Sequence, residues 1–145
     1  MFGARRRLVV ALVATLPLAA GCSAGGSQAA RTSEETPVPC TKAVAFFDQT
    51  ALPQGATKAQ CRTSSFQDTL VDITFEADRD AVDRWLTGLP GSPRLTDQGC
   101  DQGTLCTPDM HFVPQAKGGA DYLALTAAPI SGSDRLTVAI RAFST

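Results

Sequence analysis

The sequence predicts an α+β domain: a small antiparallel sheet of about four strands with one helix packed on it, stapled by disulfides. Three observations carry that expectation. Two separate stretches alternate apolar with polar residues, as half-buried strands do. A segment between them repeats its apolar residues at helical spacing. Four cysteines, Cys40, Cys61, Cys100 and Cys106, fall in the last part of the 145-residue chain.

The elements follow in chain order. Lys58 to Phe66 reads as a strand, joined through a Gln67-Asp68 turn to a second one. In that second strand Val71, Ile73, Phe75 and Ala77 alternate with Asp72, Thr74 and Glu76, which puts one face in a core. Asp78 then stands as a helix N-cap. Ala81, Val82, Trp85, Leu86 and Leu89 share a helical face, and Gly88 with Pro90 supplies the stop. Asp80 and Arg84 fall at i, i+4 on the outer face, a spacing that favours an ion pair. Gly88 to Gly103 is rich in Gly, Pro, Asp and Ser and reads as a loop. Two further strands are expected around Tyr122–Ala127 and Leu136–Phe143, joined by a hairpin-type turn over Pro129–Asp134. The order β-β-α-loop-β-β suggests an antiparallel sheet with a helix on one face.

The first 21 residues belong to no fold. Arg5, Arg6 and Arg7 precede a run from Leu8 to Ala20 broken only by Thr15 and Pro17. A basic start, a short apolar run and small residues at its end make a secretory signal rather than a membrane span, which needs roughly 20 apolar residues. Leu18-Ala19-Ala20-Gly21-Cys22 resembles the lipobox of bacterial lipoproteins, with Ala19 where leucine is usual. The resemblance covers the leader only. It implies cleavage behind Gly21 and a diacylglyceryl group on Cys22, whose acyl chains contribute about 0.8 kcal/mol per buried methylene. Arg5-Arg6-Arg7-Leu8-Val9 also resembles a twin-arginine export signal, so the sequence leaves open which export route is used. The leader, a tether of this kind and ten arginines against three lysines resemble small surface lipoproteins of the actinobacterial type.

Residues 22–39 are expected to form the lipidated cysteine and a tether. Ser23 to Pro39 holds no aromatic residue and one branched aliphatic, Val38, too little to offset the entropy of ordering. Residues 40–145 then form a single extracytoplasmic domain. Its even cysteine count reads as two disulfides in an oxidising compartment. Of three possible pairings, Cys40–Cys61 and Cys100–Cys106 are favoured, since each brackets a short turn-rich segment. The spacings lack the close pairs that structural zinc requires.

Beyond Cys22 the chain keeps ten basic residues against fourteen acidic, a net charge of −4. That balance argues against nucleic acid, whose binding depends on phosphate neutralisation. It also leaves the lipid, rather than a basic patch, to hold the protein at the membrane. Asp97 to Gly103 is an acidic, glycine-punctuated loop, but Gly99, Gln102 and Pro108 fall where a calcium loop needs a ligand, a glycine and a glutamate. It reads as a solvated loop. His111 is the sole histidine and no G-x-S-x-G elbow is present, so a small hydrolase has little to stand on. No cofactor and no metal is expected. Three aromatic residues are candidates for binding. Trp85 shares the apolar helix face, which favours the core, with ligand stacking as the alternative. Tyr122 and Phe143 fall opposite the main apolar set of their strands, where an exposed sheet face would make them a contact patch.

These readings lead to a membrane-anchored, extracytoplasmic lipoprotein acting as a non-enzymatic binding or accessory module, with a membrane or cell-wall protein as partner. A lipoprotein that binds a small molecule or a wall fragment is the alternative, and an enzyme comes third.

Overall fold

The computed structural model describes residues 34–65 and 67–145. The leader, Cys22 and most of the tether lie outside the described residues.

The domain is mostly β, and here the expectation of four strands and one helix is corrected. One antiparallel sheet holds seven strands, and two short helices accompany it. In chain order these are β1 (Thr36–Pro37), α1 (Cys40–Ala45), β2 (Thr57–Ser65), β3 (Thr69–Asp78) and α2 (Arg79–Leu86). Then follow β4 (Leu105–Cys106), β5 (Met110–His111), β6 (Tyr122–Pro129) and β7 (Arg135–Phe143). The strand order is β1-β2-β3-β7-β6-β4, with β5 also paired to β6. The four long strands are the predicted ones. The three extra strands have two residues each and carry no alternation of their own. Only pairing with β2 or β6 makes them strands.

The core lies on one face of the sheet. Because side chains alternate, each cross-strand row is either all inward or all outward. Val71, Ala142 and Leu123 form one inward row, Ile73, Ile140 and Leu125 the next, and Phe75, Val138 and Ala127 a third. Against them pack Ala43 and Val44 of α1, Phe47 just beyond it, Val82 and Leu86 of α2, and Leu89. Burying one Leu, Ile or Phe side chain contributes about 1.5–3 kcal/mol. These rows and the two helices are therefore the main source of stability.

The second helix was legible and the first was not. α2 follows Asp78 as predicted, yet the Asp78 carboxylate makes no capping bond. It pairs instead with Arg135 at 3.1 Å across the sheet end. The outer ion pair of α2 is Arg79 with Asp83 at 3.8 Å, in place of the expected Asp80 and Arg84. α1 starts straight after Pro39, whose carbonyl accepts from the amides of Lys42 and Ala43. The end of the expected tether is also ordered. Thr36 and Pro37 pair with β2, Val38 N donates to Cys61 O at 2.9 Å, and Glu35 meets Arg62 at 3.2 Å.

Both disulfides are formed, Cys40–Cys61 joining α1 to β2 and Cys100–Cys106 closing the long loop. That loop has some order, since Thr96 and Cys106 exchange two backbone hydrogen bonds. No helix among the described residues is long and apolar enough to cross a membrane.

A latch seats the start of β6. Asp48 sits at φ +63 just past α1, and its carboxylate accepts from the amides of Lys117 and Gly118, each at 3.0 Å. Ala120 N donates to Phe46 O at 3.0 Å. Gly118 lies so close to the Ala45 and Phe46 carbonyls that no side chain fits there. Residues 116–120 are thus held against the end of α1, and Tyr122 follows two residues later.

Candidate functional site: the uncovered face of the sheet

Both helices pack on one face, so the residues that alternate with the core rows line the other. Pairing registers set who stands beside whom. One outward row runs Leu70, Phe143, Tyr122, His111 across β3, β7, β6 and β5. The next runs Arg62, Asp72, Arg141, Ala124 across β2, β3, β7 and β6. A third runs Gln60, Thr74, Ala139, Thr126, Cys106.

The first row is aromatic. The Tyr122 and Phe143 rings lie 4.6 Å apart at 31°, and His111 meets Tyr122 edge-on at 5.0 Å. Such pairs add about 0.5–1.5 kcal/mol beyond area burial. Tyr122 and Phe143 are half-buried and His111 is exposed, so the row is open to solvent at the β5 end. The Tyr122 phenol is held by Asp109: hydrogen bonding to its carboxylate comes first and burial second, and together they push Tyr122 up to about 12. A donor whose acceptor is ionised makes a stronger bond than a neutral pair.

The second row is ionic. Arg141 Nε donates to Asp72 at 2.9 Å, and Arg62 pairs with Glu35. Farther along, Lys58 pairs with Glu76 at 2.8 Å. Asp72, Glu35 and Glu76 are thus engaged as ion pairs, worth about 0–1 kcal/mol each at the surface. The third row is built of small residues and makes a shallow floor. Two open depressions share Ala124 and Thr126: one of about 440 Å³ reaching Glu35, Asp72 and Arg141, the other of about 490 Å³ reaching the Cys100–Cys106 loop.

The structure brings Tyr122 and Phe143 together and leaves Trp85 on the other side of the sheet. Trp85 is half-buried, edge-on to Phe47 at 6.3 Å, and its indole N–H donates to Ala51 O at 2.9 Å. Its one polar group is already used in joining α2 to the loop after α1. Sequence reasoning missed Leu70, Asp109, Asp72, Arg141 and His111 as neighbours of the aromatic pair. Leu70 had a signal, since it falls out of phase with Val71 and Ile73. Asp109 and His111 had none, because the two-residue strand that holds His111 and follows Asp109 exists only through β6.

The chain matches no protein-family model, no curated protein and no solved structure.

Proposed function

We propose that this protein is an extracytoplasmic lipoprotein, held at the membrane by lipid on Cys22, whose uncovered sheet face docks a membrane or cell-wall protein. The observation that supports the docking reading is the composition of that face: an aromatic row, an ionic row and a floor of small residues, on the side opposite both helices. Its depressions are shallow and open, whereas small-molecule sites enclose most of their ligand. That favours a broad protein contact in which aromatic rings and ion pairs meet a complementary surface. The anchor rests on the lipobox resemblance around Cys22.

The test is site-specific photocrosslinking in intact cells, with the crosslinking residue at Thr126 on the uncovered face or at Thr87 beyond α2. Reproducible capture of one membrane or wall protein from Thr126 and not from Thr87 is expected, with capture lost in Cys22→Ala. Equal capture from both positions, or none from Thr126, refutes the docking face. Binding of a wall fragment in the joined depressions is the second reading. It predicts a saturable thermal shift with soluble wall fragments that Thr126→Arg abolishes.

A further inference from the structure

On the helix side, α2 and the segment Pro93–Leu95 enclose a cleft of about 390 Å³. Three guanidinium side chains line it, Arg79, Arg84 and Arg94, against a single carboxylate, Asp83. The arginines elsewhere among the described residues are all paired at close range. Lys58, Arg62, Arg135 and Arg141 each meet a carboxylate at 2.8–3.2 Å. Arg84 and Arg94 meet none among the described residues, and Arg79 reaches Asp83 only at 3.8 Å. This happens in a chain with more acidic residues than basic ones. An adjoining depression, which shares Arg79 and Arg84, holds Asp78, Asp80, Asp134 and Arg135; of these, Asp78 and Arg135 already pair with each other.

We infer that this cleft binds a phosphate ester through Arg79, Arg84 and Arg94. A guanidinium donates through a planar fork that matches the oxygens of a phosphate, and the donors do not lose their charge near neutral pH. The cleft exceeds what a bare anion fills, and half-buried Pro93 and Leu95 form an apolar wall suited to the carbon skeleton of a small polyol. Thr87 takes no part, since its hydroxyl donates to Arg84 O. The cleft also lies away from where the chain joins the sheet. β1 pairs beside Thr63, which faces Val71, whereas β3 runs into α2 after Asp78, seven residues on and roughly 20 Å along the strand.

The test is a titration of full-length protein, purified in non-ionic detergent, with inorganic phosphate, glycerol 3-phosphate and phosphatidylglycerol vesicles, following backbone amide resonances by NMR. Saturable shifts at Arg84, Thr87 and Leu95 are expected with glycerol 3-phosphate, and weaker ones with inorganic phosphate. Arg84→Gln with Arg94→Gln should weaken binding at least tenfold, and Arg94→Gln alone at least threefold. Lys42→Gln, remote from the cleft, should stay within twofold of wild type. Shifts that never saturate, or that survive the double substitution unchanged, overturn the site. A response to vesicles without one to either soluble phosphate overturns the assignment to a small soluble ester. The arginine variants leave the sheet face intact, so failure here is distinct from failure of the docking reading.

Discussion

Replacing Gly118 with alanine tests the latch that positions β6. A Cβ at this position would stand 2.6 Å from Phe46 O and nearer still to Ala45 O. Both obstacles are backbone carbonyls, so no side chain can swing away. Relief requires residues 116–120 to part from the end of α1, which strains three hydrogen bonds. These are Ala120 N to Phe46 O at 3.0 Å and the two amides held by Asp48, also at 3.0 Å. A neutral bond contributes about 1 kcal/mol and one to a charged group about 1.5–3. Losing one of each costs roughly 3 kcal/mol. For a domain of this size, each kcal/mol lowers the melting temperature by about 4–8 °C, so a fall of about 12–24 °C is expected. Differential scanning calorimetry measures it. Gly132→Ala is the control: its φ is +76 but open space surrounds it, so only backbone strain of about 1 kcal/mol is expected. Asp48→Ala should add little to Gly118→Ala, because both break the same latch. If Gly118→Ala melts within 3 °C of wild type, or no lower than Gly132→Ala, the steric reasoning is refuted.

Three further predictions concern the site and its frame. The chain has one tyrosine, so absorbance at 295 nm reports Tyr122 alone. Its midpoint is expected near pH 12 in the folded protein, and in Asp109→Asn it should fall toward the ordinary value of about 10. Because the folded phenol titrates higher than the unfolded one, its stabilising contribution is complete below about pH 10 and is lost as pH rises through about 12. An unchanged midpoint in the variant would remove Asp109 as the cause. Thr107 is 4% exposed and its hydroxyl has no hydrogen-bond partner, so Thr107→Val should raise stability by about 1–2 kcal/mol in a denaturant melt. A loss of stability would show that the hydroxyl is satisfied. Opening Cys40–Cys61, with a sequence separation of 21, should cost about 3 kcal/mol, and opening Cys100–Cys106, with a separation of 6, about 2. Paired serine variants test the order, and a reversal would show that strain or local packing outweighs loop entropy.

How much of this was legible depends on whether a signal was local. Alternation in Val71–Ala77 and Leu136–Ala142 named the core face, because burial on one side imposes a period of two on the sequence itself. Helical spacing gave α2, and close bracketing gave the favoured cysteine pairs. The phase of Tyr122 and Phe143 also set them on the opposite face. Helix α1 was overlooked although Ala43, Val44 and Phe47 share a face, because a six-residue helix beside proline leaves too short a pattern. β1, β4 and β5 have no local pattern at all, and so a four-strand sheet became one of seven.

What residues 34–145 owe to sequence alone, then, is the identity of the long strands, the second helix and the side of each strand that is wet. The export and anchoring reading rests on Arg5–Arg7, the apolar run and Cys22, which belong to the sequence only. The tertiary structure decided the neighbours. Register between remote strands placed His111 and Leu70 at the two ends of the Tyr122–Phe143 pair. A loop folding back placed Arg94 beside Arg79 and Arg84, and a carbonyl from α1 left room at position 118 for glycine only. Each of these depends on a contact between segments far apart in the chain, and such contacts impose no periodicity that a single sequence displays.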